Sequence, residues 1–90
     1  MKPNVLMVED EAYLAMALED LLTDAGYHVL GAARLSDALD IADHEHVDVA
    51  LLDINLQGEA VYPLANRLRE SGVPFASATA YTKDTIPQDF

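Results

Sequence analysis

Cysteine is absent from the 90 residues, which excludes disulfides and thiolate metal sites. Positive charge is scarce. Five Lys and Arg stand against 16 Asp and Glu, for a net charge of -11. A phosphate backbone is held by clustered Lys and Arg, so nucleic acid is not an expected partner. An anionic membrane surface is excluded on the same ground. Long apolar runs are missing too: nothing approaches the roughly 20 residues of a membrane span. Lys2-Pro3-Asn4, with only Val5 to Val8 apolar before Glu9, is no signal peptide. No internal repeat or low-complexity segment is found. These absences point to a soluble, cytoplasmic protein. What the chain does hold is apolar residues, 51% of the total, enough for one packed core and too many for a disordered chain. Ninety residues leave room for a single domain, 1–90.

Short apolar runs alternate with helical patterns. Val5 to Val8 reads as a strand buried on both faces. Leu14, Leu18, Leu21, Leu22 and Ala25 follow at helical spacing, and Gly26 is a C-terminal stop. Tyr13 and Met16 fall off that stripe and suggest a second contact surface. His28 to Ala32 is the next strand. Ser36 is expected to cap a helix running to about Glu45. Val47 to Asp53 is the third strand. Pro63 suits a first turn, so a third helix is expected from about Tyr62 to Gly72, with Leu64, Ala65 and Leu68 inward and Arg67, Arg69 and Glu70 in water. Pro74 opens a fourth strand, Phe75 to Ala78. Residues 79–84 read as loop, and 85–90 show no periodicity. His44 and His46 are two apart and cannot share a helix face; with His28 they read as solvated.

This βαβαβαβ order predicts an α/β fold, a parallel sheet with right-handed crossovers. Strand C-termini then share one edge, and a site belongs there, where strand order reverses. Glu9 and Asp10 follow the first strand, Asp53 ends the third, and Thr79 ends the fourth. If strands one and three are neighbours, three carboxylates share a rim. Two charges about 5 Å apart repel by roughly 3 kcal/mol at an effective dielectric of about 20. Such a cluster takes up a proton or a cation. A hard divalent ion fits, and Mg²⁺ best, because it uses few carboxylates and keeps waters that a phosphoryl oxygen can displace. Acids after a strand are common, since they suit a helix N-terminus. The ordered set of acids, Asp and Thr at successive strand ends is far more specific. It suggests phosphoryl transfer to Asp53, with the Thr79 hydroxyl and the Ala80 amide receiving phosphoryl oxygens.

"VLMVEDE", "VDVALLDINLQG" and "GVPFASATAY" together resemble the receiver domain of two-component response regulators, over roughly residues 4 to 82. The resemblance implies a flavodoxin-like doubly wound sheet, with its site at the switch point of strand order. It implies a signalling phosphoacceptor rather than an enzyme, taking its phosphoryl group from a sensor histidine kinase or phosphotransfer protein. Glu9 and Asp10 would hold Mg²⁺ (or Mn²⁺), with Asp53 and the backbone carbonyl of Asn55. Thr79 would carry the switch to a downstream protein partner, and Ala80 fits the small residue expected after it.

Family members continue through a fifth strand that ends in Lys-Pro and a fifth helix, whereas this sequence is expected to be truncated after its fourth strand. Lys83 is then the lysine nearest the site edge. The fourth strand becomes a free sheet edge, through which a homodimer is expected. Two other readings remain at this level: a receiver-like interaction module that no longer switches, and a small Mg²⁺-dependent aspartyl-phosphate hydrolase. Nothing at positions 54 to 57 supplies the acid/base group a hydrolase needs.

Overall fold

The computed structural model describes residues 2–53, 55–56, 59–60 and 62–77. In chain order they form β1 (Asn4–Val8), α1 (Ala12–Asp24), β2 (His28–Ala32), α2 (Leu35–His44), β3 (Val49–Leu52), β4 (Asn55–Leu56), β5 (Glu59–Ala60), α3 (Tyr62–Glu70) and β6 (Phe75–Ser77). Four strands make one parallel sheet in the order β2-β1-β3-β6. This is the doubly wound α/β arrangement, with β6 as the expected fourth strand. The strand order turns between β1 and β3, which pair directly from Val5↔Val49 to Val8↔Leu52.

Alternation along the strands sorts side chains to the two faces. Leu6 and Val8 of β1, and Ala50 and Leu52 of β3, pack with Ala38 of α2 and Leu64 and Leu68 of α3. Met7 and Leu51 point the other way and meet Leu18 of α1, with Leu14, Ala15 and Leu22 beside them. β1 is therefore covered on both sides, as an uninterrupted apolar run requires. Leu6 and Leu64 are wholly excluded from solvent, and each such burial stabilises the fold by about 2 kcal/mol.

α1 and α3 end in the same way. Gly26 has φ +97° and Gly72 φ +73°, the left-handed region that a side chain disfavours. Gly26 N donates to Thr23 O and Tyr27 N to Leu22 O, both at 3.0 Å. Gly72 N donates to Arg69 O at 3.1 Å and Val73 N to Leu68 O at 2.9 Å. This is the paired-bond stop that satisfies the last carbonyls and turns the chain back toward the sheet.

Several expectations are corrected. Leu21 is 62% exposed, because Leu14, Leu18 and Leu22 complete the inward stripe at spacings of four and Leu21 lies about 100° round the helix from Leu22. Tyr13 and Met16 are exposed, as their position off the stripe predicts. Ser36 does not cap α2. The capping position is Arg34, whose carbonyl accepts the first helical bond from Ala38 N at 3.0 Å and whose side chain makes no cap bond. Leu35 packs against the core, and this draws the helix start forward. The third strand is shorter than expected, although Asp48 N and Asp53 N still bond to Asn4 O and Val8 O, both at 2.9 Å. A small antiparallel pair, β4 with β5, lies between β3 and α3 and was not expected. The expected end of the fourth strand at Ala78, its free edge and the truncation beyond it all fall outside the described residues. No helix among the described residues is long and apolar enough to cross a membrane.

Candidate functional site

In a parallel sheet every β-to-α connection leaves from the same edge. β1 delivers Glu9 and Asp10 there, and β3 delivers Asp53. Glu9 N donates to Ala32 O at 3.0 Å, which holds its backbone beside the end of β2. Asp53 N donates to Val8 O at 2.9 Å and so forms the last rung between β3 and β1. The register of those two strands sets the spacing of the acids. Asp10 and Asp53 are half-buried and Glu9 is only 5% exposed. One carboxylate oxygen from each of the three lies within 4.8 Å of the others.

The cost of that approach appears on Glu9. Its pKa is pushed up to about 7, first by burial and then by its proximity to Asp53 and Asp10, while the Glu11 amide pulls the other way. That amide donates to Glu9 Oε2 at 3.2 Å and fixes the direction of the carboxyl group. A buried carboxyl facing two others favours either a proton or a positive ion. The donor set is all oxygen, which suits a hard divalent cation. Two opposed ligands on one Mg²⁺ are roughly 4.2 Å apart, so the 4.8 Å cluster is near the size such an ion demands.

Glu9, Asp10 and Asp53, brought together here, are the three acids that the sequence places at strand ends. Asn55 begins β4 two residues beyond Asp53. Thr79, Ala80 and Lys83 lie outside the described residues. Sequence reasoning missed two features of this edge. One is the Glu11 backbone amide that orients Glu9. The other is Arg34, which follows β2 on the same edge. The signal for Arg34 was available, because the second strand delivers its next residues to the same rim as the first and third.

The opposite edge carries charge of another kind. Asn4 N donates to Asp48 Oδ2 at 2.7 Å, Asn4 Nδ2 donates to His46 O at 2.7 Å, and the His46 ring lies 2.9 Å from Asp48 Oδ1. His44 meets Asp40 at 3.2 Å, and Arg67 pairs with Asp43 to tie α3 to α2. The histidines are solvent-exposed as expected, but His44 and His46 have carboxylate partners.

Comparison with known proteins gives a consistent picture. The family model of the response regulator receiver domain matches residues 5–89. A probable transcriptional regulator, ycf27 of Porphyridium aerugineum, is 36% identical over 80 residues, covering 88% of this chain and 33% of the regulator. The chain thus spans about a third of the length of the curated relatives it matches first. Among solved structures, the solution structure of SdrG from Sphingomonas melonis Fr1 superposes with a TM-score of 0.77 at 35% identity, covering 84% of this chain and 66% of SdrG. The BeF3-activated conformation of SdrG, reported from Pseudomonas melonis Fr1, gives 0.70 at 33% identity over 86% of this chain and 69% of that one.

Proposed function

Because this chain belongs to the response regulator receiver domain family, whose members act as phosphoacceptor signalling modules rather than independent enzymes, we propose that Asp53 is its phosphoacceptor and that Glu9 and Asp10 form a Mg²⁺ site beside it. The observation that carries this reading is the convergence of the three carboxylates from two adjacent strand ends. The donor is a phosphohistidine of a sensor histidine kinase or phosphotransfer protein. An Asp53 oxygen bonds to phosphorus as the P–N bond breaks. The electron pair leaves on the imidazole nitrogen, which takes a proton from water.

Mg²⁺ held by Glu9, Asp10, Asp53 and the Asn55 carbonyl would offset charge on the phosphoryl oxygens and on the crowded acids. The residues supply the rest. The β3–β1 rung fixes the main chain of Asp53 at the sheet edge, and the Glu11 amide keeps the Glu9 carboxyl turned inward. Thr79 and the Ala80 amide receive phosphoryl oxygens. Movement of Thr79 toward the new anion alters a protein-binding surface. Lys83 contributes positive charge toward the phosphoryl oxygens.

SdrG has a BeF3-activated conformation, and its likeness to this chain supports a phosphoryl-dependent change here. The test is incubation with Mg²⁺ and acetyl phosphate, read by intact mass. A gain of one phosphoryl group that Asp53→Asn abolishes is the expected result. No gain would favour a non-switching interaction module, and sustained phosphate release with turnover would favour a hydrolase.

A further inference from the structure

Among the described residues the chain has four Lys and Arg side chains, Lys2, Arg34, Arg67 and Arg69, and the topology separates them. Lys2 precedes β1, and Arg67 and Arg69 sit in the last turn of α3. All three therefore belong to the edge opposite the acid cluster. Arg67 is engaged by Asp43, and Arg69 by Asn66 and the ring of Phe75. Among the described residues, Arg34 alone stands on the acidic edge. It is exposed, lies two residues beyond the end of β2 and takes no part in the ion pairs His44–Asp40, His46–Asp48 and Arg67–Asp43. The bond from Glu9 N to Ala32 O sets the end of β2 directly beside the acidic pair.

We propose that Arg34 is a positioning residue for phosphoryl transfer: a permanent cation that draws the anionic phosphodonor onto the acidic rim. The inference rests on the reading of Asp53 as phosphoacceptor. Its physical basis is the sheet. Two strand spacings of about 4.8 Å separate the ends of β2 and β3, roughly 10 Å. At that range, in water, a unit charge changes the local concentration of a doubly charged ion by about fourfold before screening, and by about 1.5-fold at physiological salt. The same field acts on the two reactants with opposite sign. It attracts the phosphodonor and repels Mg²⁺. Family-type metal acids alone would leave the rim hostile to any phosphorylated partner until the metal is bound.

The experiment compares the parent chain with Arg34→Gln, Arg34→Lys and, as a control at the far edge, Arg67→Gln. Two constants are measured: the second-order rate of phosphorylation by acetyl phosphate at saturating Mg²⁺, and the Mg²⁺ dissociation constant by titration calorimetry. Arg34→Gln is expected to slow phosphorylation and tighten Mg²⁺ binding, each by about two- to fourfold at low salt, with both differences shrinking as salt is raised. Arg34→Lys retains the parent values, and Arg67→Gln leaves both constants unmoved. A merely structural role would not shift the two in opposite directions. Arg34→Gln constants equal to the parent's, or moved in the same direction, would overturn the proposal. If the parent chain takes up no phosphoryl group, that failure belongs to the Asp53 reading, and the Mg²⁺ titration still decides the role of Arg34.

Discussion

At the N-terminal edge of the sheet, Asp48 accepts the Asn4 amide and faces the His46 ring, and Arg67 meets Asp43. At the C-terminal edge, Glu9, Asp10 and Asp53 bring like-charged groups within 4.8 Å. Both ends are closed by the same strands, and β1 and β3 contribute to each. The difference is the sign of the neighbour. Asp48 is held below the usual carboxylate range by the Asn4 amide and then by His46. Glu9 is pushed up to about 7. One edge uses charge to hold the fold together. The other keeps an arrangement that lowers stability and that a proton or a ligand of opposite charge relieves, an electrostatic pattern typical of binding sites.

The two edges should therefore answer pH in opposite directions. Glu9 has a folded-state pKa of about 7 against 4.5 for the unfolded reference. The folded chain thus keeps a proton that the unfolded chain has lost, and metal-free stability falls as pH rises from 4.5 to 7. The total is about 3 kcal/mol, at 1.36 kcal/mol per pH unit, with no further loss above that window. Urea denaturation in chelator across that range measures it. Glu9→Gln should flatten the slope, and Mg²⁺ should restore stability at the upper end. Asp48 behaves oppositely: its contribution is present above 3.8 and is lost below it. If metal-free stability did not fall between pH 4.5 and 7, the contrast between the edges would be wrong.

A smaller effect isolates a single neighbour. Asp53→Asn at pH 7.5, without metal, is expected to raise stability by about 1–2 kcal/mol, because it removes one charge facing Glu9. Equal or lower stability on denaturation would show that the acids do not oppose one another. The smallest effect belongs to the other edge. Arg67 and Asp43 are both more than a third exposed, so water and salt screen the pair. Arg67→Ala should cost at most about 1 kcal/mol, and a double-mutant cycle with Asp43→Ala should give a coupling of about 0.5 kcal/mol.

Much of this contrast was legible in the sequence at one edge only. The acids after β1 and β3 are visible because each directly follows an apolar run, and parallel topology sends every such position to the same rim. The glycine stops of α1 and α3 were legible for a similar reason, since a local backbone requirement has a residue-specific answer. The clasp of Asn4, His46 and Asp48 was not. Its members are 42 and 44 positions apart, and nothing local marks them as partners. Leu21 and Ser36 misled because apolar character and a capping side chain are permissive signals. The inward stripe of α1 excluded the first, and packing of Leu35 moved the helix start past the second. The β4–β5 pair is two residues long on each side, too short for periodicity to register. Arg34 was less legible because it stands two residues past the end of β2 rather than directly after it.

The amide of Asp53 is bonded to Val8 O as the final rung of a ladder that continues down β3 and β1. A side chain anchored this way is a stationary post. Under the proposed phosphorylation of Asp53, its main chain could not retreat without unzipping the centre of the sheet. On that proposal, relaxation would come from parts that no ladder restrains, with Asp53 itself staying still.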